Sequence, residues 1–236
     1  MLKLFLTIVT LLIQRANGNY RDCLNLQVSI SQKVENEGFH REINWLIESL
    51  ELSDEQWTHS NCEIGLHLDV PPEMFVNPDE ISELNRTGQI SAYIDGYVNV
   101  ESPAYESNEH KLYIFLRDRD IRKILVRLPV HLRYQRAVIA GGFGKINLSK
   151  PSLVARCPIA GRSLCGENEK MTAPCDSTGV FKCDWENVTY QALFDEVQLF
   201  VPIGDLDDYP IVAIVTLLLG CVGSIYILSV LSTTHL

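Results

Sequence analysis

The sequence predicts a mainly β, disulfide-bonded domain, an antiparallel β-sandwich, carried on one C-terminal transmembrane helix. Three observations predict it. Apolar residues recur with a period of two in six separate segments, the period that lines one face of a strand. Only one short stretch between the two chain ends has helical character, which favours an antiparallel sandwich over an alternating α/β fold. Apolar runs occupy both ends of the chain, and six cysteines lie between them.

In chain order, Lys3 precedes the apolar run Leu4 to Ile13, and Ala16-Asn17-Gly18 supplies small residues suited to signal peptidase. Residues 1–18 therefore read as a signal peptide, with a mature chain beginning near Asn19. The first strand pattern is Leu24, Leu26, Val28 and Ile30; the second is Ile43, Trp45 and Ile47; the third is Ile64, Leu66, Leu68 and Val70. Pro78 to Leu84 reads as a helix of about two turns, with Asn77 as its cap, Pro78 at its first position and Asp79 and Glu80 complementing the dipole. Leu112 to Leu116 makes a fourth strand pattern, Ile124 to Leu132 a fifth and Val197 to Ile203 a sixth. Pro129 and Pro202 fall inside the last two, where a missing N–H argues for edge strands or bulges.

Ile211 to Leu231 carries no charge and matches the roughly 20 helical residues that cross a bilayer. The division expected is a glycosylated lumenal domain at 19–209, a transmembrane helix at 210–231 and a short cytoplasmic tail at 232–236, a single-pass type I arrangement. A glycolipid-anchor signal also ends in an apolar tail but needs small residues upstream, where Gly204-Asp205-Leu206 offers bulky and acidic ones. Within the span, Thr216, Gly220 and Ser224 recur every four residues on one face and are candidates for close helix packing.

All 30 acidic residues but only 18 of the 20 basic ones lie in the body, for a formal charge of −12. Such a surface repels phosphate backbones and excludes nucleic acid as a partner. Cys221 sits in the span, leaving an even set of Cys23, Cys62, Cys157, Cys165, Cys175 and Cys183. Their spacings lack the close pairs of a zinc site, so they read as disulfides with fifteen connectivities open. The favoured arrangement pairs the four clustered cysteines among themselves and Cys23 with Cys62. Asn85, Asn147 and Asn187 each begin a glycosylation sequon.

No catalytic, cofactor or metal constellation emerges. Ala140-Gly141-Gly142-Phe143-Gly144-Lys145 departs from the phosphate-loop spacing and reads as a hairpin or loop. His40 and His131 belong to no metal pattern and read as structural or surface histidines, and no G-x-S-x-G elbow exists. Glu186 beside Cys183-Asp184-Trp185 is as well placed next to a disulfide as in a cleft. A membrane-tethered hydrolase would need a site that is not found, which favours a binding or scaffolding role.

Several short blocks resemble the phosphatidylinositol-glycan biosynthesis class X (PIG-X) family. They are Gly38-Phe39-His40-Arg41; Asp69-Val70-Pro71 with Val76-Asn77-Pro78; Leu128-Pro129-Val130-His131 with Arg133-Tyr134; Ala173-Pro174-Cys175; Cys183-Asp184-Trp185; and Val201-Pro202-Ile203-Gly204. The resemblance implies a non-catalytic, endoplasmic-reticulum subunit that stabilises a polytopic catalytic partner, GPI mannosyltransferase I. That partner would transfer the first mannose from dolichol-phosphate-mannose to the GPI precursor, and no cofactor or catalytic residue is carried onto this chain. The alternative from the residues alone is a cell-surface adhesion or receptor ectodomain on a single anchor.

Overall fold

The structure, a computed structural model, describes residues 23–50, 62–116, 122–157, 163–165 and 168–233. The signal peptide expected at 1–18 and the end of the tail, 234–236, lie outside them. Two sheets face each other across one core, as a sandwich requires. The larger has six strands in the order β12 (Lys170–Pro174), β13 (Lys182–Val188), β10 (Ser152–Arg156), β4 (Glu63–Val70), β7 (His110–Leu116) and β6 (Ala92–Asp95). The smaller runs β14 (Gln191–Ala192), β2 (Val28–Glu35), β3 (His40–Ser49), β8 (Ile124–Leu132) and β5 (Met74–Phe75). A ribbon of β9 (Gly142–Leu148) and β15 (Val197–Ile203) contributes Ile146, Leu148, Leu199 and Val201 to the same core.

The alternating segments bury the residues that the period selects. Ile43, Trp45 and Ile47 of β3 meet Ile64, Leu66, Leu68 and Val70 of β4 in the core, and each is essentially inaccessible to solvent. Burying an aliphatic chain of this size contributes roughly 1.5–3 kcal/mol. Trp45 keeps its indole N–H satisfied by donating to Gln32 Oε1 at 2.7 Å on the paired strand. The helix α1 (Pro78–Thr87) starts as the sequence predicts: Asp79 N–H donates to Asn77 Oδ1, and Ile81 anchors the helix in the core.

The first strand pattern is corrected. Residues 25–27 separate β1 (Cys23–Leu24) from β2, because β2 pairs with β3 only as far as Val28 opposite Ser49. β1 instead lies parallel to β11 (Ser163–Leu164), and β14 lies parallel to β2, two short exceptions to the antiparallel pattern. Pro202 lies in β15, which β9 alone pairs, as an edge proline should. Pro129 lies in β8 between β3 and β5, but β5 covers only His131 and Leu132, so the strand is an edge at Pro129 on that side.

The disulfide arrangement also differs from expectation. Cys62 pairs with Cys157 rather than Cys23, and only Cys175–Cys183 closes within the cluster of four. The cause is strand register: β4 and β10 pair Glu63 with Arg156, so the next position along joins Cys62 to Cys157. Cys165 is disulfide-bonded as well. The Cys175–Cys183 bridge closes the β12–β13 hairpin, where Trp185 donates from Nε1 to Pro174 O at 3.0 Å and the Arg156 guanidinium lies 5.0 Å over the indole. Trp185, Phe115, Tyr113, Val154 and Ala173 form a second apolar cluster on the opposite side of this sheet from the main core. Gly65 lies in the row Val154–Gly65–Phe115, where a Cβ would come within 2.8 Å of Ile114 O.

A helix, α2 (Tyr209–Thr233), ends the described chain; its 25 residues are long and apolar enough to cross a membrane. Five residues, 204–208, connect it to β15, and they are held down. Val138 N–H donates to Gly204 O, Leu206 N–H donates to Val138 O, and Ala140 N–H donates to Asp207 Oδ2. The glycine-rich segment expected as a hairpin or loop is this turn, with Ala140, Gly141 and Gly142 all at positive φ, leading into β9.

Closing a loop of 95 residues restricts the unfolded chain more than closing one of 8. Replacing Cys62 and Cys157 by alanine should therefore cost about 4–5 kcal/mol, and the same change at Cys175 and Cys183 about 2–3 kcal/mol. Urea denaturation of the two double variants checks the order; equal losses would show that unfolded-state restriction is not the cause.

Candidate functional site

The blocks Gly38 to Arg41, Val76 to Pro78 and Leu128 to Tyr134 converge at one end of the five-stranded sheet. Positive φ at Asn36 and Gly38 turns the chain from β2 into β3. Arg41 fixes that turn, donating from Nε to Gly38 O at 2.9 Å and from Nη1 to Asn36 O at 2.7 Å. Its Nη2 reaches Phe200 O of β15 at 3.4 Å. Register then decides which side chains meet. Since Ile43 faces Leu128 in the core, His40 and His131 are opposite one another on the outer face, and Phe75 of β5 continues the row beyond His131.

The three rings stack: His40 on His131 with centroids 4.7 Å apart, and Phe75 on His131 at 5.0 Å. The Arg133 guanidinium sits 4.4 Å over the Phe75 ring. Glu80, in the first turn of α1, accepts or shares a proton with His131, its Oε2 lying 3.0 Å from His131 Nε2. Its Oε1 lies 3.9 Å from His40 Nε2. His40, Glu80 and His131 form the group of side chains that could hold a metal ion among the described residues. The two histidines were expected to be independent structural or surface residues; register makes them one unit.

Around this unit the polar groups are used to fasten segments together. Arg133, nearly buried, donates from Nη1 to Asn99 O and Ser102 O, both at 2.6 Å, and so ties down the loop after β6. Its burial lowers the pKa of the guanidinium from the ordinary value. Behind it, His110 Nε2 accepts from Val76 N–H at 3.4 Å, an arrangement that requires an unprotonated nitrogen. Burial, aided by the nearby Arg133 charge, pushes the His110 imidazole down to about 4. On the neighbouring strand β4, burial lowers the pKa of His67, an effect that Asp69 partly opposes.

The remaining sequence candidates are dispersed. Asn147 and Asn187 are exposed on β9 and β13, whereas Asn85 is half-buried in α1. The Asn85 amide is engaged at both ends: Nδ2 donates to Ala92 O and Oδ1 accepts from Ala92 N–H, each at 2.8 Å. Along α2, Thr216 donates to Val212 O and Ser224 to Gly220 O, so both hydroxyls turn back on their own helix. Nothing lies within 4 Å of a Cβ placed on Gly220. Cys221 is free.

The chain is thus a mainly β, disulfide-bonded two-sheet domain joined through a pinned connection to one C-terminal helix apolar enough to cross a membrane. The chain belongs to the PIG-X / PBN1 family, whose model matches residues 36–232, a range that holds the six-stranded sheet, all of the five-stranded sheet but β2, and the helix up to Ser232. It is 28% identical over 207 residues to the human protein named GPI alpha-1,4-mannosyltransferase I, stabilizing subunit, covering 86% of this chain and 79% of that one. The mouse protein of the same name is 28% identical over 206 residues, with 86% and 80% covered. No solved structure gives a significant match.

An unfolded histidine takes up a proton near pH 6.5, whereas folded His110 resists until about 4. Stability contributed by keeping His110 neutral is thus complete above about pH 6.5 and falls, by an amount on the order of 2 kcal/mol, as the pH drops toward 4. Thermal unfolding between pH 7 and 4 should show that loss, and His110→Gln, which retains an acceptor for Val76 N–H, should flatten it. An unchanged pH slope in the variant would remove His110 as the source.

Proposed function

We propose that this chain is the non-catalytic stabilising subunit of a GPI mannosyltransferase I. It holds a polytopic catalytic partner in the endoplasmic-reticulum membrane while that partner transfers the first mannose from dolichol-phosphate-mannose to the GPI precursor. The sandwich lies on the lumenal side and α2 is the single span. The observation that carries this reading is the extent of the family match, which reaches from the β2–β3 turn to the apolar helix. The name of the human and mouse relatives supplies the role. The geometry supports it too: Arg41, Arg133 and Trp185, all within the blocks, donate to backbone carbonyls of other segments and so fasten those segments together.

A bound neighbour stabilises a polytopic protein by mass action, and its loss exposes surface that quality control recognises. The hydroxyls of α2, bonded back to their own helix, leave Thr216, Gly220 and Ser224 as a smooth face on which another helix can lie close. Deleting the chain should reduce both the abundance of the catalytic subunit and the first mannosylation, and re-expression should restore both. Gly220→Leu should weaken recovery of the partner in mild detergent by several-fold. Normal partner abundance together with lost mannosylation would overturn the stabilising role and point to substrate handling.

Lumenal placement also has a readout in glycans. Asn147 and Asn187, exposed on their strands, should carry high-mannose glycans, while Asn85, with its amide clamped to Ala92, should remain largely unmodified. Glycopeptide mapping checks each asparagine separately. Glycan on Asn85 alone, or complex glycans throughout, would contradict this placement.

A further inference from the structure

The Glu80–His131 hydrogen bond accounts for two members of the outer-face cluster but not the third. His40 Nε2 faces the same carboxylate from 3.9 Å, too far for a hydrogen bond, while its ring lies alongside that of His131. Three elements supply the three groups: β3, β8 and the first turn of α1. None is on a loose loop. Cross-strand pairing fixes the spacing of the two histidines, and the Asn77 cap with Pro78 at the start of the helix fixes Glu80.

We propose that His40, Glu80 and His131 form a binding site for a divalent transition-metal ion of the zinc type. One ligand atom from each residue lies within 4.8 Å of the others. In a tetrahedral zinc site, bonds of about 2.0–2.1 Å place ligand atoms about 3.3 Å apart. The two oxygens of the Glu80 carboxylate lie 3.0 Å from His131 Nε2 and 3.9 Å from His40 Nε2, so the group faces both rings at distances near that value. Closing the triangle from separations of up to 4.8 Å requires a side-chain torsional adjustment. His40 can make it, since its side chain is 57% exposed, whereas His131 is held between two rings.

The donor set chooses the class of ion. Two imidazoles and one carboxylate suit zinc and its neighbours, whereas calcium and magnesium take oxygen ligands almost exclusively. Three protein ligands leave a fourth position, on the solvent side, for water or for a donor from another molecule. A bound ion would bridge α1 to the β3–β8 pair, two elements otherwise joined here through the His131–Glu80 bond. This inference concerns the chain's own residues and stands apart from the reading of its role in mannosylation.

The test uses the full-length protein in detergent, stripped of metal by chelator and titrated with Co2+ as a spectroscopic probe, then with Zn2+. The expected result is one equivalent of Co2+ with visible d–d bands of a low-coordinate site, displaced by Zn2+, and a thermal midpoint raised by Zn2+. His40→Gln and Glu80→Gln should each weaken Zn2+ binding by at least about 100-fold and cancel the rise, because a direct ligand is worth more than the outer-shell contacts that cost 10–100-fold. His40→Gln changes an exposed side chain, so its metal-free midpoint serves as the check on folding. Failure of the wild type to take up a stoichiometric ion would overturn the site, as would uptake undiminished in both variants, which would place the ion elsewhere.

Discussion

The pairing of β3 with β8 is the constraint on which this end of the molecule depends. Ile43 opposite Leu128, Trp45 opposite Val126 and Ile47 opposite Ile124 fill the core from two neighbouring strands. Side chains alternate, so a slip of either strand by one residue would turn its three core residues to solvent and carry its histidine inward, away from the other. The hydrophobic demand of the core therefore sets the position of polar groups that never touch it. β5 adds Phe75 to the same outer row, and Glu80 reaches that row because Ile81, the next residue, is committed to the core.

Strands with one face on the main core and the other on solvent are the plainest in the sequence. β3 and β8 read clearly for that reason, and α1 read clearly because Asn77, Pro78 and the acidic first turn are local signals. β12 and β13 did not. Trp185 and Ala173 are buried on the side away from the main core, against Phe115 and Val154, so the hairpin carries no plain alternation toward one interior. The Cys62–Cys157 bridge was equally illegible, since it follows from β4 lying beside β10, a tertiary fact that cysteine spacing does not contain. The His40–Glu80–His131 unit draws on positions far apart in the chain, and only the strand register and helix docking unite them.

Most residues of the sequence blocks turn out to be fixtures of the chain's own architecture. Gly38 supplies a positive φ that L side chains rarely adopt; Arg41 and Arg133 bind carbonyls of other segments; Trp185 and the Cys175–Cys183 bridge close a hairpin. The proposed role, holding another protein in shape, calls for a surface that does not itself yield. The arginines are suited to this: each guanidinium reaches several acceptors at once, where a lysine would offer a single point of charge.

The connection between sandwich and membrane helix is short and bonded at both ends. Val138 and Ala140 grip residues 204, 206 and 207, and Tyr209 N–H donates to Leu206 O as the helix begins. A slack tether would let the two parts bind a neighbour independently, each losing its own rotational freedom. Here the freedom has been removed during folding. A neighbour that grips α2 receives the sandwich already aimed, and the second contact forms at the effective concentration of an intramolecular event rather than that of a separate encounter.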